Sequence, residues 1–338
     1  MTTMQSNARP PNAHSIIEMR EHCPACGADS PVTLISEPFD SASITAFLVR
    51  QYAGRARLEQ LHGYNYVLVR CRRCQLAYQQ TIPGPSLVQE LYDQWIPSSE
   101  RERLRQEHDL YDPSYWAQQI HFLIEHSRMR PARVKVLDFG MGWGEWASMA
   151  RAFGCDVYGA ELSTERLDHA HSIGIPTLDW QEIATRRFHF INTEQVLEHL
   201  VEPLGILRHL AGSLEENGLL KISVPDARTA LRRAARSRNF GSLSAAAIVP
   251  IQPLEHINCF EYRTLVRLAA NAGLRPMRPS LRLIYNASSG WLYPRQAARL
   301  LLRPLYRHVY PKSTFVYFVR DAREVSKEFH KKQGTSEL

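Results

Sequence analysis

The chain has 338 residues, of which 44% are hydrophobic and 22% are charged. These values are typical of a globular protein with room for about two domains of ~150 residues each. No run approaches the ~20 apolar residues that span a bilayer, and the amino terminus lacks the apolar stretch of a secretory signal, so we expect a cytoplasmic protein without a transmembrane segment. The net charge of +7 suits an anionic substrate and is too small to indicate nucleic acid by itself.

The pattern along the chain predicts five parts. Residues 1–20 are polar and predicted to be disordered, and residues 21–80 contain four of the six cysteines. Residues 81–130 have the apolar spacing of helices and form a predicted connector. Residues 131–322 alternate between strands and helices, and residues 323–338 are a polar tail. The alternation predicts an α/β fold with a mostly parallel sheet covered on both faces.

The predicted elements of the largest region, residues 131–322, follow one another regularly. An apolar strand at 134–139 leads through a glycine-rich turn into a helix that ends before Gly154, and a second strand at 155–160 precedes a helix capped at Ser163 or Thr164. The next predicted elements are the strand "RFHFINT", the helix "VLEHLVEPLGILRHLAGSL", the strand after "ENG", the amphipathic helix "EYRTLVRLAANAGL", and the strands "LRLIYN" and "TFVYFVRDA".

The cysteines near the amino terminus form two C-x-x-C pairs. In a chain without an export signal, such pairs indicate metal or redox chemistry before disulfides. Each pair suits a short turn that directs two sulfurs at one ion, so the pairs predict a tetrahedral Zn²⁺ site, with unliganded buried thiols as the alternative. The predicted ligands are Cys23, Cys26, Cys71 and Cys74.

The turn in "VLDFGMGWGEW" carries glycines at alternate positions, Gly140, Gly142 and Gly144. A turn from a strand into a helix presents backbone N–H groups, and ligands of open α/β sheets bind at the carboxyl ends of the strands. A dinucleotide fingerprint needs G-x-G-x-x-G, and here the third glycine comes one residue early. The spacing therefore disfavours NAD.

This stretch resembles the first motif of the class I S-adenosylmethionine-dependent methyltransferases. The resemblance implies a Rossmann-like, seven-stranded sheet with helices on both faces, over residues 131–322, and S-adenosylmethionine as the cofactor. Glu161 matches the residue that holds the ribose hydroxyls in that family, and "DWQEI" matches the loop beside the adenine. The cofactor-binding residues that the resemblance implies are Asp138, Gly140, Gly142, Gly144, Glu161, Leu162, Asp179, Trp180, Thr193 and Gln195.

A four-cysteine module ahead of such a core is similar to the arrangement in deoxysugar C-methyltransferases and their relatives. Methyl transfer usually requires removal of a proton, and histidine is the default base near neutral pH. Two Glu-His pairs are available, Glu198-His199 and Glu255-His256. The second pair resembles one near the acceptor in the sugar enzymes. We therefore expect His256 to be the base, with Glu255 and His199 as the other catalytic candidates.

These features predict methyl transfer to a small, anionic metabolite such as a nucleotide-linked sugar. The arginines of residues 226–254 either form a solvated helix face or bind a diphosphate. Two alternatives stay open, namely an RNA-modifying methyltransferase whose zinc module binds nucleic acid, and a catalytically inactive binding protein. The acceptor, the acceptor atom and the oligomeric state are not specified by the sequence.

Overall fold

The computed structural model describes residues 15–96, 111–280 and 315–321, together with residues 283, 301 and 302. The predicted tail, most of the predicted disordered amino terminus and nearly all of the predicted strand "LRLIYN" lie outside these residues. Among the helices that are described, none is long and apolar enough to cross a membrane.

The described elements alternate as an α/β chain. The strands are β1 Ile17–Met19, β2 Pro31–Pro38, β3 Asn65–Cys71, β4 Ala77–Gln79, β5 Thr81–Pro83, β6 Lys135–Phe139, β7 Asp156–Ala160, β8 Phe188–Glu194, β9 Leu214–Ser223, β10 Asn258–Cys259, β11 Leu274–Met277 and β12 Phe315–Arg320. The α-helices are α1 Ala42–Gln51, α2 Pro85–Glu90, α3 Tyr111–Ser127, α4 Glu145–Ala152, α5 Thr164–Ser172, α6 Trp180–Ala184, α7 Pro203–Gly212, α8 Arg228–Ser237, α9 Ala245–Ile248 and α10 Tyr262–Asn271.

The chain forms two units. The first combines the described residues up to 96 with two later segments, Glu198–Val201 and Pro225–Thr264, and the second contains the remaining described residues. The limits at residues 81, 131 and 322 stay predictions. The units divide the chain differently, because segments from within the predicted methyltransferase region pack with the cysteine-rich region.

The first unit is built on an antiparallel sheet in the order β10-β4-β3-β2, beside the pair β1-β5. Its core contains aromatic residues that meet edge to face, since Tyr66 contacts both Phe39 and Phe240 at centroid distances of 6.4 and 5.6 Å. Helix α8 buries Ala230, Leu231 and Ala234 in this core. Strand β3 lies between the two cysteine pairs and ends at Cys71.

The second unit contains the sheet β11-β12-β9-β8-β6-β7, in which β9, β8, β6 and β7 are parallel. Strand β12 runs antiparallel to β9, and β11 runs antiparallel to β12 and so in the direction of the other four. The predicted α/β class is confirmed, with six strands of this sheet in the described part of the chain. Strand β11 was not predicted. Helix α7 also differs from the long helix expected there, because Pro203 occupies its first turn and disfavours helical backbone just before it.

Candidate cofactor, metal and catalytic sites

The glycine turn follows β6 at the carboxyl end of the parallel strands. Its three glycines all have left-handed backbone, with φ of 71° at Gly140, 58° at Gly142 and 78° at Gly144. Such φ values favour glycine, because a Cβ is strained there. A Cβ on Gly140 would lie 2.5 Å from a methyl of Val196, whereas a Cβ on Gly142 would meet no described atom within 4 Å. The turn is therefore closely packed at its start and open at its centre.

Glu161 lies just after β7 and organises this turn. Its Oε2 accepts from the N–H of Gly142 at 3.0 Å, and its Oε1 accepts from the N–H groups of Leu162 and Ser163 at 2.8 and 3.2 Å. Nη1 of Arg166 lies 3.4 Å from Oε2. Three backbone N–H groups and one guanidinium therefore orient this carboxylate. The side chain is held in one position at the edge where ligands of parallel sheets bind.

A buried polar row runs under the same edge, from Asp138 through Asn192 to Lys221. The Nδ2 of Asn192 donates to Asp138 at 2.8 Å, and Nζ of Lys221 donates to Asn192 at 3.1 Å and to Glu194 at 2.8 Å. Burial raises the pKa of Asp138 to about 7, against the lowering effect of Asn192. The Oδ2 of Asp138 has no hydrogen-bond partner among the described residues. A buried acceptor in this state is available to a ligand.

The other predicted cofactor residues differ in their exposure and in the contacts that their side chains already make. Leu162 is 72% exposed, an apolar surface next to Glu161. Asp179 caps α6, accepting from the N–H of Glu182 at 2.7 Å, and Trp180 stacks on His209 with centroids 3.6 Å apart. Thr193 lies in β8, where its buried hydroxyl donates to the carbonyl of Lys221. Gln195 lies just after β8 and is exposed, with left-handed backbone.

The four cysteines of the two pairs come together in the first unit. Their sulfurs all lie within 4.8 Å of one another, with 3.5 Å between Cys23 and Cys74 and 3.6 Å between Cys26 and Cys71. Four sulfurs at ~2.3 Å from one Zn²⁺ in a tetrahedron would be ~3.8 Å apart. The hydrogen bond from Cys23 lowers the pKa of Cys74 to about 5, which favours a thiolate there. The set has the size and donor chemistry of a four-cysteine zinc site.

Each cysteine pair lies in a tight turn of the same design. The N–H of Gly27 donates to the carbonyl of Cys23 at 2.9 Å, and the N–H of Gln75 donates to that of Cys71 at 3.0 Å. Both residues after the second cysteine have left-handed backbone, with φ of 70° at Gly27 and 67° at Gln75. The turns direct both sulfurs of a pair to the same side, as the spacing predicted.

The two Glu-His pairs also meet within the first unit. The imidazole rings of His199 and His256 are T-shaped with centroids 4.9 Å apart, and Glu198 is buried beside them. Nδ1–H of His199 donates to the carbonyl of Glu255 at 2.9 Å, and Nδ1–H of His256 donates to the carbonyl of Val249. Burial lowers the pKa of His199 to about 4 and that of His256 to about 3, and raises the pKa of Glu198 to about 8.

Side chains of the first unit hold the two loops that carry these pairs. Gln79 donates to the carbonyl of His256 at 2.9 Å, and Arg20 lies 3.3 Å from the carbonyls of Leu200 and Val201. Asn258 donates to the carbonyl of Leu200 at 2.7 Å. These bonds connect strands β4 and β10 and the residue after β1 to both loops, so the unit fixes both histidines. Sequence reasoning missed these bracing residues, for which only their polarity within apolar strands was a signal.

Glu255 takes a different place from the one expected for a partner of His256. Its carboxylate accepts from the hydroxyl of Tyr52 at 2.9 Å and from Gln51 at 3.4 Å. Burial raises its pKa. Through its backbone carbonyl it orients His199 instead. We therefore regard Glu255 as a positioning residue in this structure.

Comparison with known proteins assigns the family. The family model described as "Methyltransferase domain" matches residues 107–278, just over half of the chain. The chain belongs to this methyltransferase family, which confirms the enzyme class expected from the glycine turn.

Individual relatives are more distant. A ubiquinone biosynthesis O-methyltransferase from Actinobacillus pleuropneumoniae is 30% identical over 105 residues, covering 26% of this chain and 44% of that protein. The chain thus matches less than half the length of this curated relative. A TehB-like methyltransferase from Corynebacterium glutamicum is similar in structure over 70% of this chain and all of that one, with 14% identity and a TM-score of 0.38. The match to a sugar N-methyltransferase from Streptoalloteichus covers 39% of this chain and 55% of that protein, with 21% identity and a TM-score of 0.31.

Proposed function

We propose that this chain transfers a methyl group from S-adenosylmethionine to a small, anionic acceptor, with nucleotide-linked sugars as the leading class. The observation that carries the proposal is the open glycine turn between Asp138 and Glu161, at the carboxyl ends of two paired parallel strands. One carboxylate has an unused buried oxygen, and the other is fixed by backbone donors. Family membership supports the reaction class.

The cofactor, when bound, supplies a methyl group already activated for transfer. On this proposal the glycine turn gives it room, and Glu161 accepts from its ribose hydroxyls. Leu162 offers an exposed apolar surface for the adenine. Asp179 and Trp180 belong to the same proposed site, as do Thr193 through its backbone and Gln195.

For the acceptor, we assign proton removal to His256. Its Nδ1–H is engaged by the carbonyl of Val249, so Nε2 carries the lone pair that accepts a proton. His199 packs against this ring, and Glu255 holds His199 through its carbonyl. The similarity to a ubiquinone biosynthesis O-methyltransferase supports a hydroxyl as the acceptor group.

Charge supports an anionic acceptor. Helix α8 buries its apolar side and leaves Arg232, Arg233 and Arg236 exposed, and Arg238 at its end is exposed too. Guanidinium groups bind diphosphate through paired hydrogen bonds. The proposal assigns the arginine face of α8 to the anionic part of the acceptor.

The four cysteines are proposed to hold one Zn²⁺. The sulfur separations and the matched turns support this assignment. A closed four-thiolate site has no position for a substrate, so its role is to stabilise the first unit.

Methyl transfer from labelled S-adenosylmethionine tests the function. The acceptor panel contains nucleotide-linked sugars, the matching sugar phosphates and free sugars, and structured RNA, and the Glu161→Gln variant is the control. We expect transfer to a nucleotide-linked sugar that the variant loses. Transfer to RNA alone would instead favour the nucleic-acid alternative. Failure of the parent to bind S-adenosylhomocysteine would contradict the whole assignment.

A further inference from the structure

A second cluster of metal-binding residue types lies in the first unit, apart from the cysteines. Glu198, His199 and His256 each offer one ligand atom, and these three atoms lie within 4.8 Å of one another. The set of two imidazole nitrogens and one carboxylate is a combination that Zn²⁺ and other divalent transition metals accept.

Within this cluster, the carboxylate of Glu198 gives the strongest indication of a bound cation. The residue is 1% exposed, and neither of its oxygens has a hydrogen-bond partner among the described residues. Burial disfavours the ionised form of a carboxyl group that has no hydrogen bonds, and a cation beside it would stabilise that form. Oε1 lies 4.0 Å from Nε2 of His199, too far for a hydrogen bond and close enough for both atoms to share an ion after a small contraction.

The two imidazoles are held as metal ligands usually are. Each donates its Nδ1–H to a backbone carbonyl, of Glu255 for His199 and of Val249 for His256. This bond fixes the tautomer and the ring orientation and leaves Nε2 as the free nitrogen, which is the outer-shell arrangement typical of metal-bound histidines. Gln79 fixes the His256 loop further, through bonds to the carbonyls of Gln252 and His256 at 2.7 and 2.9 Å.

We propose that Glu198, His199 and His256 bind one divalent transition-metal ion, separate from the four-cysteine site. Three protein ligands leave a coordination position for an oxygen from outside, and the partly exposed side chain of His199, at 24%, provides access. The ion uses the same Nε2 of His256 that we assigned as the base. Metal binding and proton acceptance are therefore alternatives at this nitrogen, and the base role proposed above belongs to the chain without this ion.

Cobalt binding to the full-length protein tests the proposal without cofactor or acceptor, so its outcome is independent of the methyl-transfer assignment. The protein is first saturated with one equivalent of Zn²⁺, which thiolates retain against Co²⁺. It is then titrated with Co²⁺, dialysed and analysed for both metals. The variants are Glu198→Gln and His256→Gln, and His62→Gln is the matched control, since His62 is an exposed histidine of the same unit.

We expect the parent and His62→Gln to retain cobalt, with a spectrum that lacks thiolate charge-transfer bands. Both cluster variants should bind it at least ~10-fold more weakly. Retention of cobalt by the variants, or no retention by the parent, would overturn the proposal. Pulsed electron spin resonance (electron spin echo envelope modulation) of the cobalt-loaded parent detects couplings to imidazole nitrogens and needs no variant. Their absence would overturn the proposal even if the variants failed to fold.

Discussion

Replacing Glu161 by glutamine should weaken cofactor binding and destabilise the second unit. The glutamine has the same shape, but whichever way its amide turns, an NH₂ group faces two of the present donors. At Oε2 these are the N–H of Gly142 and the guanidinium of Arg166, and at Oε1 they are the N–H groups of Leu162 and Ser163. The change therefore removes two bonds to a charged acceptor, in a side chain that is 9% exposed.

The expected size follows from these contacts. A hydrogen bond to a charged group contributes ~1.5–3 kcal/mol net, so the loss of two costs the folded protein ~3 kcal/mol or more. If one such bond is also made to the ribose, the affinity falls ~10–100-fold. Calorimetric titration with S-adenosylhomocysteine measures the affinity, and thermal unfolding measures the stability.

Arg166→Met is the matched control. It removes only the weakest donor, at 3.4 Å, and leaves the three backbone donors in place. We expect it to change the affinity at most ~5-fold. Parent-like binding by Glu161→Gln would refute the role of Glu161, and an equal loss in both variants would shift the interaction to Arg166.

Three further changes test other parts of the structure. Cys74→Ser should lower the zinc content from about one ion per chain to near zero by elemental analysis, because a four-thiolate site loses a ligand. His256→Ala should lower turnover ~10²–10⁴-fold without changing the affinity for S-adenosylhomocysteine, because a base faces the acceptor. Glu90→Gln should lower the unfolding temperature by a few degrees near pH 7, because the pair with Arg57 lowers the pKa of Glu90 to about 2. That stability is present above the unfolded pKa of ~4.3 and is lost as the pH falls through about 2, so parent and variant should converge there.

Each of these changes has its own control or contrary outcome. Cys155→Ser should keep the zinc, since Cys155 is buried outside the cysteine cluster. Full turnover by His256→Ala together with its loss in His199→Ala would reverse the two histidine roles. A constant difference in unfolding temperature between pH 7 and pH 2 would show that Glu90 acts through packing and not through its charge.

The regular parts of the second unit were predictable because each carries its own local signal. Strand β6 has an apolar run, the turn has three glycines, and β7 begins just after Gly154. The capping box of Asp179 and Glu182 also has a local signature, the spacing D-x-x-E, which sequence reasoning did not use. The adenine contact implied for Asp179 by the resemblance stays a prediction. Here the structure shows a capping role for the carboxylate.

The buried row and the first unit depend on pairings between distant segments, so local pattern did not reveal them. Asp138, Asn192 and Lys221 are aligned only by the register of three adjacent strands. The one available signal was a polar residue within each apolar strand. Likewise, nothing near residues 225–264 indicates that β10 pairs with β4, beside the cysteines.

This last pairing changes what loss of the zinc site should do. The sequence alone suggests that residues 21–80 form a separate zinc module, whose unfolding would leave the methyltransferase region folded. In the structure, β10 pairs with β4, and Gln79 at the end of β4 holds the carbonyl of His256. Loss of the cysteine site should therefore disorder the histidine cluster within the same unit, while the second unit, with its own core, keeps the glycine turn. A Cys74→Ser protein should then bind S-adenosylhomocysteine but transfer no methyl group, and normal transfer by zinc-free protein would contradict this coupling.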